Sequence, residues 1–160
     1  MYKSLISLCI FGILLFVQGN FGEITEFEKC GDVSDLSKHG NCEIHEVRIT
    51  PCKEALEGKP CILRRGKSAV VSFDYTPHFA SADTKAQAAW VKGTSLIPWI
   101  GLDSNACAYT KCPYEPNEKQ TYTTDLEIGR KYPSQLYDVK YTLTNEDGEF
   151  CCFLTQIKIK

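Results

Sequence analysis

Eight cysteines follow an apolar N-terminal run, and this arrangement limits the compartment, the redox state and the kind of fold open to the chain. Leu5 to Val17 is interrupted only by Ser7, Cys9 and Gly12. Lys3 stands before it, and Val17-Gln18-Gly19 puts small or β-branched residues at the positions a signal peptidase reads. A positive start, a short apolar stretch and such an exit form a secretory signal. The run is too short to span a membrane comfortably, and no second one follows. Residues 1–19 are therefore expected to be removed, and Cys9 with them. Cys30, Cys42, Cys52, Cys61, Cys107, Cys112, Cys151 and Cys152 remain. An even set behind a signal peptide predicts export to an oxidising compartment and a disulfide-stapled fold.

Residues 20–160 make one ordinary domain, large enough to bury a real core. Loss of Lys3 moves the formal charge from −2 to −3. So mild a charge gives no argument for a nucleic-acid partner, no basic patch stands out, and the grouped Arg64, Arg65 and Lys67 suit an exposed turn around Gly66. No Asn-x-Ser/Thr acceptor, internal repeat or low-complexity tract is present.

From Cys42 onward the hydrophobic period is two. Ala69, Val71, Phe73 and Tyr75 alternate with Val70, Ser72 and Asp74. Tyr122, Thr124, Leu126 and Ile128 repeat the pattern, as do Tyr137, Val139, Tyr141 and Leu143, and then Phe153, Thr155, Ile157 and Ile159. Such alternation puts one face of each strand on a core and the other in water. Ile44 to Thr50 is a further strand ended by Pro51; Ala82 to Trp90 has the Ala and Gln content of a helix, but its place among antiparallel hairpins favours a strand of small residues. Asn145-Glu146-Asp147-Gly148 marks a hairpin between two runs. About seven short strands without a long helix predict an all-β antiparallel sandwich.

Two cysteine pairs are local: Cys52 and Cys61 flank a polar loop, and Cys107 and Cys112 flank Ala108 to Lys111. A bridge from Cys30 to Cys151-Cys152 would tie the N-terminal segment to the last strand. Neighbouring strand residues point to opposite faces. Cys151 shares the inward parity of Phe153 and Cys152 does not, which leaves Cys42 to take whichever partner Cys30 does not use. No C-x-x-C pair exists, and His39, His45 and His78 lack metal-ligand spacing, so neither metal nor cofactor is expected. Phosphate-cradling loops, nucleophile elbows and zincin motifs are likewise missing from the sequence, which gives no argument for an enzyme. Inward apolar positions are plentiful and helices to cover them are few. Either the core is dry and filled, or the sheets splay around an apolar ligand.

Several motifs bear on that choice. In order, they are Lys29-Cys30-Gly31, "ITPC" at Ile49 to Cys52, "PCILRRGK" at Pro60 to Lys67 and "GLDSNACAYTKCPY" at Gly101 to Tyr114. "KYPS" at Lys131 to Ser134 and "EDGEFCCFLTQIKI" at Glu146 to Ile159 complete the set. In sequence and spacing they resemble the ML lipid-recognition domain family over nearly the whole mature chain. The Tyr-Pro is similar to the family's cholesterol-transfer branch.

The resemblance implies an immunoglobulin-like sandwich of two antiparallel sheets with an apolar pocket between them. It implies bridges Cys52–Cys61, Cys107–Cys112 and Cys30 to the last strand. Matching backward from Ile159 assigns Cys30 to Cys151, and matching forward from Gly148 assigns it to Cys152; the ungapped strand register takes Cys151, with Cys42–Cys152 then open as a fourth bridge. Two departures stand out: a longer stretch from Asp32 to Asn41 containing the extra Cys42, and a doubled cysteine at Cys151-Cys152. Trp99 and Tyr132-Pro133 match residues at the family's pocket mouth, with Ile100 and Ile128 beside them. Val71, Phe73, Tyr75, Val139 and Tyr141 would line the interior. The implied function is a secreted carrier, extracellular or lysosomal, for a sterol, fatty acid or similar lipid. It would act as a monomer with transient membrane or receptor contact. The alternative is an innate-immune co-receptor that recognises lipid and acts through another protein.

Overall fold

The computed structural model describes residues 22–29 and 40–160. The expected signal segment and Cys30 lie outside the described residues. Ten strands form two facing sheets. They are β1 (Glu23–Ile24), β2 (Glu28–Lys29), β3 (Cys42–Thr50), β4 (Cys61–Leu63), β5 (Lys67–Pro77), β6 (Lys85–Lys92), β7 (Ser95–Pro98), β8 (Gln120–Ile128), β9 (Leu136–Thr144) and β10 (Phe150–Ile159). The first sheet runs β1-β3-β5-β8, and the second runs β2-β10-β9-β6-β7. Neighbours are antiparallel, except that β4 lies parallel to β10, further along the edge that β2 occupies. The strand reading of Ala82–Trp90 holds from Lys85 onward.

The alternation places the core. Along β5 and β8 every second side chain is buried, and Phe73 pairs with Tyr122 in register. Along β9 and β10 the inward set includes Tyr137, Val139, Tyr141, Phe153 and Ile157. The outer face of the first sheet is polar. Its Arg48 donates to Asp74 at 2.8 Å and to Ser72 at 3.2 Å, tying β3 to β5. That contact raises the Arg48 pKa and lowers that of Asp74, the shared hydrogen bond being the main cause.

Two turns fix the ends. Gly66 adopts φ 71°, a left-handed conformation that side chains disfavour, and its N–H reaches Ile128 O at 2.6 Å. The β9–β10 turn is held from outside the hairpin. The Glu146 carboxylate accepts hydrogen bonds from the Ala82 and Asp83 amides and the Ser81 hydroxyl. Backbone donors hold its pKa down at about 2.

The disulfides correct the sequence reading. Cys151 is bonded to Cys42 rather than Cys30, so the assignments Cys30–Cys151 and Cys42–Cys152 both fall. Cys152 is also disulfide-bonded, and its partner lies outside the described residues. The physical reason is strand parity. Cys151 lines up with the inward Leu143, so it faces the opposite sheet, where Cys42 opens β3. Cys52–Cys61 and Cys107–Cys112 form as expected.

These bridges are distributed unevenly. Cys42–Cys151 joins β3 to β10, and Cys52–Cys61 joins the end of β3 to β4, so both tie one sheet to the other on the same side. The opposite side is formed by the edge strands β8 and β7. There the Cys107–Cys112 bridge closes a loop on itself and does not link the sheets.

Candidate functional site

The layer between the sheets is dominated by aromatic rings. Phe73 stacks on Tyr122 with centroids 5.1 Å apart, and it meets Phe153 edge-on at 4.9 Å and Tyr141 at 5.6 Å from the facing sheet. Tyr141 stacks on Phe153 at 5.7 Å, and Phe27 closes the β10 side at 6.2 Å from Phe153. Tyr75 donates or accepts at Thr110 Oγ1, 3.3 Å away. The Tyr122 and Tyr141 hydroxyls perturb one another, and Thr124 acts on Tyr122, but neither hydroxyl lies within ordinary hydrogen-bond distance of a partner. Burial, above all, pushes the Tyr141 pKa far up, and Tyr75 and Tyr122 shift the same way. All three phenols stay protonated.

At one end this layer meets solvent through a noncovalent closure. Trp99, just beyond β7, stacks on Tyr132 with centroids 4.5 Å apart and nearly parallel rings. Its Nε1 donates to Glu127 O of β8 at 3.0 Å, so the indole spans the gap between the two edge strands. Ile100 N donates to the Tyr132 hydroxyl at 3.3 Å. Tyr137 packs under both rings and anchors the loop by donating to Pro133 O at 2.9 Å. Trp90 covers the other edge of Tyr137 at 4.9 Å.

The structure thus sorts the sequence-derived residues into two groups. Val71, Phe73, Tyr75, Val139 and Tyr141 lie together in the interior. Ile128, Trp99 and Tyr132 gather at the closure, with Trp99 only 5% exposed. Ile100 points outward, 82% exposed, and Pro133 is also at the surface. Sequence reasoning passed over Tyr122, Tyr137, Phe153, Trp90 and Phe27 as site residues. For Tyr122, Tyr137 and Phe153 the signal was present, since they share the inward parity of residues that were chosen.

A concavity of about 660 Å³ lies elsewhere, at the edge of the second sheet between β2 and β4. Its floor is the outward row Val91, Asp138 and Gln156, and Glu26 and Glu28 stand at its rim. None of the residues at the interior or the closure named above borders it except Phe27. Its lining mixes Phe27, Val91 and Leu154 with Glu26, Glu28, Lys59 and Asp138, and an apolar ligand there would strip hydration from the charged groups without compensation.

Residues 25–159 match the family model described as ML domain. A relative from Manduca sexta, named MD-2-related lipid-recognition protein, is 37% identical over 136 residues, covering 84% of each chain. NPC intracellular cholesterol transporter 2 of Sus scrofa is 26% identical over 151 residues, covering 94% of this chain and 93% of its own. Among solved structures, a Niemann-Pick type C2 protein from Japanese carpenter ant superposes with a TM-score of 0.71 at 20% identity. The superposition covers 84% of this chain and 99% of that one, and it shows a shared fold.

Proposed function

The chain belongs to the ML domain family, and from that premise we propose that it binds an apolar lipid between its two sheets and carries it through water. No bond is made or broken. The observation that carries this reading is the uneven stapling of the sandwich. Disulfides join the sheets along β3, β4 and β10, while the β7–β8 side is held without a covalent link: Trp99 and Tyr132 stack and hydrogen-bond there, and the loop between β7 and β8 bonds β6 through Ala86 N to Ser104 O and β8 through Thr123 N to Tyr109 O. Such a sandwich can part on one side without breaking a covalent bond.

The energetics support it. A ligand that removes on the order of 300 Å² of apolar surface from water gains roughly 7 kcal/mol. Separating aromatic pairs loses about 0.5–1.5 kcal/mol each beyond their area. Exchanging a few ring contacts for a lipid is therefore favourable. The relatives' names point the same way, one being a lipid-recognition protein and another a cholesterol transporter. Sterols and fatty acids are the candidate ligands. Secretion as a monomer, with extracellular or lysosomal residence and release to a membrane or receptor, completes the carrier reading. It is preferred over presentation of lipid by an immune co-receptor because the interior accounts for it without a second protein.

The test is uptake of a fluorescent sterol and a fluorescent fatty acid by delipidated protein, alongside Val139→Glu and Tyr132→Ala. Val139 lies within the interior between Trp90 and Thr155 in register, and a carboxylate there meets no counter-charge. Val139→Glu is expected to abolish uptake, and Tyr132→Ala to weaken it by loosening the closure. Failure of both lipids to bind wild-type protein at micromolar concentration overturns the carrier reading.

A further inference from the structure

Tyr122 of β8 and Tyr141 of β9 face one another across the sandwich with ring centroids 5.9 Å apart, and both side chains are buried. Neither hydroxyl lies within hydrogen-bond distance of a partner. Native interiors pair such groups almost without exception. The neighbouring Tyr75 follows the rule through Thr110. Two unpaired phenol hydroxyls facing one another in one apolar layer form a recognition feature awaiting its complement. We propose that the complement is the ligand's own polar atom: the interior selects an otherwise apolar lipid bearing an uncharged oxygen, as a hydroxyl, ketone or ester, and hydrogen-bonds that oxygen to Tyr122 and Tyr141.

This inference rests on the interior being the lipid site, and it adds the polarity and direction of the bound molecule. The oxygen goes in and the apolar body extends toward Trp99. The anchor narrows the candidates to sterols and other uncharged lipids and sets ionised fatty acids aside, for two reasons. Lys140, the one charged residue among the buried described residues, sits on the strand parity opposite Tyr141. Asp103 acts electrostatically on Tyr122 and would repel an anion. An ionised carboxylate would therefore be buried without a counter-charge. A protonated phenol, in contrast, both donates and accepts, so alcohols and carbonyls are both served.

The experiment uses delipidated secreted protein loaded with the fluorescent probe N-phenylnaphthylamine and displaced by dodecanol, dodecane or dodecanoate. Wild-type protein is expected to prefer dodecanol over dodecane by roughly three- to tenfold, the worth of one buried hydrogen bond. Dodecanoate is expected to compete no better than dodecane at neutral pH. Tyr122→Phe and Tyr141→Phe should each reduce the alcohol preference, read within each protein as the ratio of dodecanol to dodecane displacement. Their melting temperatures should equal or exceed wild type, because an orphaned hydroxyl is removed. Equal displacement by dodecanol and dodecane in wild type, or a preference that survives in both variants, overturns the anchor. As a second measurement, the carbonyl stretch of bound dodecanone should move to lower frequency in wild type, and an unshifted band also overturns the anchor. If neither the probe nor any competitor binds wild type, the carrier reading falls and takes the anchor with it. That result is distinct from binding without discrimination.

Discussion

Replacing Phe73 and Phe153 by leucine, singly and together, measures how tightly the two sheets hold each other in the empty protein and how lipid changes that. Phe73 contacts Tyr75 and Tyr122 on its own sheet and Tyr141 and Phe153 on the other, all within 5.6 Å between centroids. Each residue is 1% exposed. Truncation to alanine would cost about 3–5 kcal/mol. Leucine retains most of the volume, so each single variant should lose less and remain folded within a stability of roughly 5–15 kcal/mol. The edge-on Phe73–Phe153 contact at 4.9 Å crosses the sandwich. Its coupling should be about 1 kcal/mol in the double-mutant cycle, as for other aromatic pairs. The assay is denaturant unfolding of the four proteins with disulfides intact, delipidated and then saturated with lipid. If lipid enters between the rings, the coupling should fall below about 0.3 kcal/mol, the limit of ordinary additivity. An undiminished coupling in protein holding one lipid per chain by native mass spectrometry would refute the reasoning. The ligand would then lie elsewhere, with the concavity between β2 and β4 the next place to look.

Three further outcomes follow from other parts of the molecule. Trp99→Phe keeps a ring over Tyr132 but loses the bond to Glu127 O, so it should cost about 0.5–1.5 kcal/mol in chemical unfolding; it should also lose most of the lipid-induced change in tryptophan emission, and an unchanged signal would assign that change to Trp90. The Glu146 pKa is lowered from 4.5 to about 2 in the folded protein, so its clamp contributes fully above pH 4.5 and is lost as pH falls toward 2. The melting-temperature gap between wild type and Glu146→Gln should accordingly shrink across that window, and a gap constant from pH 6 to pH 2 would contradict the assignment. The Cys42–Cys151 bridge closes a separation of 109 residues, against 5 for Cys107–Cys112. The chain-entropy model gives up to about 4.7 kcal/mol for the former and roughly 2 kcal/mol for the latter, so serine pairs at the two bridges should show the larger loss of melting temperature at Cys42 and Cys151.

Much of the architecture was legible because burial in a sandwich follows a period of two. Val71, Phe73, Tyr75, Val139 and Tyr141 were placed on inward faces by alternation alone, and all five are interior. Strands of two to four residues carry too few positions to show a period, and β1, β2, β4 and β7 went unread. The disulfide error is instructive. Parity already turned Cys151 toward the facing sheet, but the family register took precedence and assigned it to Cys30. An inward cysteine on one sheet bonds what stands opposite, and that is Cys42 at the start of β3. The contact of Trp99 with Tyr132 and Glu127 joins segments about 30 residues apart through loop geometry, which no spacing rule encodes. The unpaired hydroxyls were equally out of reach, because a sequence shows which tyrosines point inward and not which find partners.

Fixing one long margin of the sandwich and leaving the other to noncovalent contacts makes capacity a matter of angle. Strands β8 and β9 are each nine residues long, about 30 Å at the usual rise per residue. From β10 to β7 the second sheet spans three strand spacings, about 14 Å. A swing of roughly 10° about the stapled margin would lift the free margin by about 2.5 Å and add ~500 Å³, inside the range of small-molecule cavities. A rotation smaller than the twist between adjacent strands therefore separates a filled core from one that holds a lipid. Ligand size can then be tuned by loops at the free margin, leaving the residues that fold the domain unchanged.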